Sequence, residues 1–377
     1  MAPTAPEDRP LPDQIEGAPH PSETPVLFGQ SRAEADFLEA FTTGRLHSGW
    51  LITGPQGVGK ATLAWRIARF LLTQPIVAAD DMFGAPPPPT SLDVDPDHPD
   101  ARLMQSGAHP RLFVLRRSWN EKTDKLNTVI SVEDVRKLKA FFGMSAADGG
   151  RRVVIVDPAD EMNVNAANAI LKLLEEPPAD AVILMIAHQP SRLLPTIRSR
   201  CRELRCGLLS AHDMAAALDA AKVRTDATDA LTALSAGSVG EAIRLTNLDG
   251  LQVYSELVQL FSGLPNIDRQ RAIKLAESCV GAKNATRFGL VLDLIDKFLA
   301  RAARTGLQGP PEVQAAQGEA LLLAKLAPHD AAARNWATLA QEVSDRTRHG
   351  KAVNLDPAAL ILDTLFRIEK AALSVAA

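Results

Sequence analysis

The segment Gly54-x-x-x-x-Gly59-Lys60 stands between a short apolar run at 50–53 and a helical stripe at 61–72. Glycines at such a turn let backbone N–H groups point inward around a triphosphate. The lysine then reaches the β- and γ-phosphates, and the helix N-terminus adds the positive end of its dipole. Gly54, Gly57, Gly59, Lys60 and Thr62 are therefore candidate nucleotide-binding residues. A glycine-rich turn that binds nothing is the plainer alternative. The residue after the lysine should carry a hydroxyl for magnesium, and here it is Ala61. Thr62 comes next, but one step along a helix turns a side chain by about 100°. ATP is expected to bind at most, with magnesium held weakly.

Asp157 closes the apolar run 152–157, where a carboxylate would hold magnesium through water. Hydrolysis also needs a group to position or activate the attacking water. The neighbour of Asp157 is Pro158, which has no acceptor, while Asp160 and Glu161 lie further on and read equally well as acids at a helix start. The set has the parts of a nucleotidase and lacks two of them. A third element is Ser199-Arg200-Cys201. Arg200 is either a solvated basic residue favoured by a helix C-terminus or a cation offered to the phosphate of a neighbouring subunit.

The elements around these residues alternate. Apolar runs at 112–115, 152–157 and 181–187 are continuous, as strands buried on both faces of a parallel sheet should be. Helical stripes at 132–142 and 166–176 fall between them, the second stopped by Pro177-Pro178. This predicts an α/β P-loop domain with a mostly parallel sheet over 26–206. Residues 1–25, with seven prolines and no periodicity, read as a disordered arm. Residues 75–110, with Pro86-Pro87-Pro88-Pro89 and scattered aspartates, read as a loosely packed surface insertion in which His98 and His109 are solvated. The aspartates lack the spacing and glycine of a calcium loop. Past Cys206 only helices are expected, divided into a small helical domain at 207–249 and an all-α domain at 250–377.

Composition narrows the classes. A chain of 377 residues suits two or three domains. Lys and Arg number 41 against 45 Asp and Glu, a net charge of −4, so a strongly basic nucleic-acid binder is not expected, and a local basic face is the remaining way to meet nucleic acid. Three cysteines, Cys201, Cys206 and Cys279, are too few for a disulfide framework or a four-cysteine zinc site. Cys201 and Cys206 read as small buried residues, and no zinc is expected. The N-terminus resembles neither a secretory signal nor a transit peptide, no run is long enough to cross a bilayer, and a cytoplasmic setting follows.

The string Val153-Val154-Ile155-Val156-Asp157 through Leu174-Glu175-Glu176-Pro177-Pro178, followed in register by Arg198-Ser199-Arg200-Cys201, resembles the AAA+ clamp-loader subunits of bacterial DNA polymerase III. The resemblance covers about 27–206 with specific motifs, and beyond that Leu234-Ser235-Ala236-Gly237-Ser238-Val239-Gly240. It implies an AAA+ domain, a helical lid and a helical collar in a five-subunit ring of motor and delta subunits. Such a ring handles a sliding clamp and primer-template DNA through the assembly, with no membrane involved. It also implies a stator role in which Arg200 is an arginine finger toward a neighbour's ATP. The sensor position falls at His188-Gln189, and the lid arginine of motor subunits is replaced by Gly240. The alternative is an autonomous AAA+ ATPase of motor or helicase-loader type using Lys60 and Asp157. A small-molecule kinase fits the all-helical C-terminal third poorly.

Overall fold

The computed structural model describes residues 9, 11–24, 26–76, 87–143 and 149–376. Helix α1 (Ser31–Thr42) leads into β1 (Gly49–Thr53), which runs through the glycine-rich loop into α2 (Lys60–Thr73). Then follow α3 (Pro99–Gln105), β2 (Leu112–Leu115), a small antiparallel pair β3 (Trp119–Asn120) and β4 (Lys125–Leu126), and α4 (Val132–Gly143). The order continues with β5 (Arg152–Val156), α5 (Val164–Glu175), β6 (Ala181–Ala187), α6 (Pro195–Arg198), β7 (Arg202–Arg205) and α7 (Ala211–Ala220).

Five parallel strands form one sheet in the order β2-β5-β6-β1-β7, with Val154 opposite Ile183 and Ile52 between Ile186 and Leu204. The central strands are apolar without alternation because helices cover both faces: all seven residues of β6 are buried, as are Val153–Val156. The edge strand β7 buries Leu204 and leaves Arg202, Glu203 and Arg205 exposed, a charged edge that resists further strand pairing. This is the α/β P-loop core with a parallel sheet that the residue pattern leads one to expect. Two boundaries move for local reasons. Asn163 accepts from the Ala166 N–H at 2.8 Å and so starts α5 two residues early, as a side-chain cap does. Strand β5 ends at Val156, which leaves Asp157 on the turn beyond it.

Two expectations need correction. Residues 77–86 of the expected insertion lie outside the described residues, but 87–110 is not loosely packed. Leu92, Ala101 and Met104 are buried, and α3 lies against α2. His109 is not solvated: its ring is buried against Asp100, with Nε2 3.1 Å from the carboxylate, and burial holds it below the usual imidazole range. The arm is likewise ordered where it is described (residues 1–8, 10 and 25 lie outside). A 3-10 turn at Pro21–Glu23 is capped by His20, and Asp13 is fully buried between Arg116 at 2.6 Å and His20 at 3.1 Å. Proline-rich composition signals disorder only when no buried contact offsets the ordering entropy; here a buried ion pair and several backbone bonds do.

The chain forms two compact units, Met1–Lys222 with Gly237–Glu241, and Val223–Ala236 with Ala242–Ala377. The stretch 207–249 is thus divided between the units rather than standing as a third body. In the first unit, Leu209 N–H donates to Gly237 O at 3.0 Å, which attaches the 237–241 turn to the sheet domain.

The second unit is helical. It comprises α8 (Thr228–Ser235), the later part of α9 (Val239–Asn247), α10 (Gly250–Phe261), α11 (Arg269–Glu277), α12 (Ala285–Gln308), α13 (Glu319–Leu326), α14 (Asp330–Ala352) and α15 (Pro357–Ala376). Helix α12 is the axis, packed on α10, α13 and α14. Its Leu290, Leu294, Ile295, Phe298 and Leu299 repeat at helical spacing and are buried, with the Phe298 ring 4.6 Å from that of Phe261. Trp336 on α14 is fully buried, its indole N–H donating to Leu326 O at 2.7 Å. No strand follows β7 among the described residues, and no helix among them is long and apolar enough to cross a membrane.

Candidate functional site

The glycine-rich loop leaves the C-terminal end of β1 in a backbone path that only glycine tolerates. Gly54 has φ +141°, and a Cβ there would lie 2.3 Å from Cys206 O; Gly57 has φ +77°, and its Cβ would strike Ser238 Oγ at the same distance. Ser238 Oγ donates to Gln56 O at 2.8 Å, and Gly240 N–H donates to Gly57 O at 3.0 Å. The loop is therefore clasped by the 237–241 turn. Gly59 caps α2, and Lys60 opens it.

Lys60 is buried, and its ammonium is spent on the loop itself, donating to Gly54 O at 2.7 Å and to Pro55 O. Burial pushes its pKa down to about 8, although the acids Asp157 and Asp160 pull the other way. Asp157 is buried beside β2, its N–H donating to Leu115 O at 2.9 Å. Burial, reinforced by the nearby charge of Asp13, pushes its carboxyl up to about 7, so near neutral pH much of it carries a proton.

The residues present do not suit magnesium. Ala61 offers no oxygen, Thr62 sits a step further round the first turn of α2, and no group of three His, Cys, Asp or Glu side chains among the described residues is placed to hold a metal ion. The two candidate bases are occupied as well. Asp160 accepts from the backbone N–H groups of His188 and Gln189 at 2.9 and 3.2 Å, which fixes the segment after β6. Glu161 pairs with Arg117 at 2.8 Å. The His188 ring, at the expected sensor position, is pushed down to about 4 by burial and by the positive charge of Lys60, and stays neutral.

Arg200 lies elsewhere. It follows α6, with its guanidinium 2.8 Å from Glu175 at the end of α5 and donating to Thr196 O at 3.1 Å. Both side chains are more than a third exposed. The Arg200 carbonyl lies beside Gly49, where an added Cβ would meet it at 3.3 Å. Gly49 is the first residue of β1 and Gly54 the first after it, so the two ends are roughly 16 Å apart at the rise of a parallel strand. Arg200 and the chain's own glycine-rich loop are thus at opposite ends of β1. Cys201 and Cys206 are protonated side chains, burial pushing them up to about 12 and about 11. Neither has the thiolate character of a ligand or nucleophile.

One residue that pattern reading passes over holds the loop in place. Gln30 is buried, and its amide donates to Val58 O at 3.0 Å and Gly207 O at 2.9 Å while accepting from Gly207 N–H at 2.9 Å. A glutamine just before a helix carries no sequence signal of this kind, because its partners lie 28 and 177 positions away. Gln30→Ala removes the partner of the buried Val58 carbonyl and of both backbone groups of the exposed Gly207 and is expected to cost about 1–2 kcal/mol, read as a lowered urea midpoint; a loss below about 0.5 kcal/mol would mean water replaces the amide without strain.

A sequence model of the family described as DNA polymerase III, delta subunit, matches residues 29–208. Over 233 residues the chain is 39% identical to DNA polymerase III subunit delta′ of Pseudomonas aeruginosa, covering 61% of this chain and 64% of that one, a little under two thirds. Against DNA polymerase III subunit delta′ of Escherichia coli it is 29% identical over 337 residues, covering 88% and 92% of the two chains. Subunit tau of Salmonella typhimurium is 27% identical over 286 residues, covering 73% and 40%. The match runs from the segment before α1 through the glycine-rich loop and the Ser199-Arg200-Cys201 turn to the start of the helical region, a little under half of the chain, and over that stretch the chain is similar to DNA polymerase III delta-prime subunits.

Proposed function

We propose that this chain is the stator of a clamp loader in DNA replication. In this reading it sits in a five-subunit ring with motor and delta subunits, and it offers Arg200 to ATP held by a neighbouring motor while the ring places a sliding clamp on primer-template DNA. The observation that carries this is the separation of Arg200 from the chain's own loop by the length of β1, together with the lack of magnesium ligands and of a free base beside Lys60. The family model matched over residues 29–208 and the similarity to delta′ subunits support the same reading.

Arg200 has what the role requires. Its guanidinium is always charged and presents a planar fork of donors suited to phosphate oxygens. In the isolated chain Glu175 and Thr196 O hold that fork at the surface, so a phosphate arriving from outside exchanges with a half-exposed carboxylate rather than with a buried one. The chain's own nucleotide site is, on this account, an ATP binder at most. The alternative of an autonomous ATPase would route hydrolysis through Lys60 and Asp157.

The test is ATP hydrolysis by the assembled ring with this chain as wild type or Arg200→Ala, beside the chain alone. A companion variant separates the two sites: Lys60→Ala is expected to leave the ring's rate within about twofold, since a residue outside the transition state does not change kcat. A fall of tenfold or more would assign turnover to this chain's own loop.

A further inference from the structure

We propose that residues 11–24 are a strap that occupies the phosphate side of this chain's own glycine-rich loop and keeps nucleotide out of it. The occupant is a segment of the same chain, and its seat is built. Asp13 is fully buried, its two oxygens taken by Arg116 at 2.6 Å and His20 at 3.1 Å, and it stands close enough to Asp157 to act on that carboxyl electrostatically. Two residues on, Ile15 reaches the clasp over the loop: a Cβ on Gly240 would lie 2.5 Å from Ile15 Cδ1 and 3.0 Å from Gly57 Cα. A methyl group therefore stands against the turn that clasps Gly57, and a carboxylate stands near Asp157.

The far end of the strap is anchored on α2, the helix that the loop opens. His20 is buried edge-on against Trp65, with ring centroids 5.6 Å apart, and Arg69 donates to Ser22 O at 2.6 Å. Within the segment, Ala18 N–H donates to Ile15 O and Thr24 Oγ1 to His20 O, both at 3.1 Å, so the strap is folded rather than draped. Gly240 completes the fit. A Cβ there would crowd Ile15 Cδ1 and Gly57 Cα, so the bare backbone at this turn leaves room for Ile15.

A site covered in most molecules binds with an affinity reduced by the uncovered fraction. The inference concerns the Lys60 loop, whereas the stator reading rests on Arg200, so either can fail without the other. The experiment is titration of a fluorescent ATP analogue into the full chain, as wild type and as the double variant Asp13→Ala and Ile15→Ser, each with and without Lys60→Ala. The expected result is affinity at least about tenfold tighter in the double variant, and loss of that gain when Lys60 is also replaced. Equal affinity of wild type and double variant overturns the proposal, and so does failure of both to bind. Circular dichroism checks that the double variant is folded. A second measurement needs no variant: backbone amide exchange in 11–24 of the wild-type chain should accelerate severalfold with millimolar ATP, and unchanged exchange alongside measurable ATP binding counts against the strap.

Discussion

Arg200→Ala in the assembled ring is expected to slow ATP hydrolysis by about 10³-fold or more, the range in which arginine fingers act. The size follows from where the charge sits. A guanidinium beside the transferring phosphoryl group stabilises charge that grows in the transition state, in a site from which water has been excluded. The fold places Arg200 at the surface, at the start of β1, and supports it from α5 and α6. Stability should hardly change, since the Arg200–Glu175 pair is about 40% exposed on both sides and such pairs contribute about 0–1 kcal/mol. Rate loss without destabilisation is the signature to look for. Arg200→Lys keeps the charge but not the planar fork, and is expected to recover only part of the rate. A ring whose turnover is untouched by Arg200→Ala would remove the stator reading.

Glu319→Gln should be the most damaging conservative change in the helical unit, costing about 3–5 kcal/mol of stability. Glu319 is fully buried at the start of α13. One carboxylate oxygen accepts from Tyr254 Oη at 2.6 Å and Arg301 Nε at 2.5 Å; the other accepts from Arg301 Nη2 at 3.0 Å and the Ala315 N–H at 2.7 Å. The pair thus ties α10, α12 and the segment before α13 through one side chain. Glutamine removes the charge that balances Arg301, whose side chain is only 14% exposed, and turns an N–H₂ toward groups that are themselves donors. Burial and the Glu319 carboxylate also hold the Tyr254 hydroxyl well above its usual range, so it remains a donor at all ordinary pH. Removing both charges together, as Arg301→Met with Glu319→Leu, should cost much less than the single change, because no lone charge is left behind. Denaturant unfolding of the wild type, Arg301→Met, Glu319→Leu and the double variant measures the coupling, and a Glu319→Gln cost under about 1 kcal/mol would show that water reaches the pair.

The parts of the molecule that were legible in advance share one property, local repetition. Strands β5 and β6 declare themselves by continuous apolar runs, and α12 and α15 by apolar residues at helical spacing. The described part of the 75–110 segment does not, because the buried Leu92, Ala101 and Met104 are scattered among many aspartates and prolines. The arm is harder still. Its anchoring residue, Asp13, is one acid among many, and its partner Arg116 is 103 positions away. Gln30 escapes notice for the same reason, since a glutamine acquires its role only from the carbonyls that surround it.

Residue types and spacing alone determined that this chain carries a phosphate-type loop in an α/β sheet, that the loop lacks the hydroxyl next to Lys60, and that helices follow Cys206. These are short-range facts, settled within a turn or a strand. Only the tertiary structure decided that Lys60 turns back on its own loop, that Asp160 and Glu161 are taken up by backbone and Arg117, that Arg200 lies a strand's length from the loop, and that Ile15 reaches the turn at Gly240. Each of those depends on distances between groups far apart in the chain. Such distances are set by how the sheet orders its strands and by which buried charges find partners, and neither is written in any local pattern.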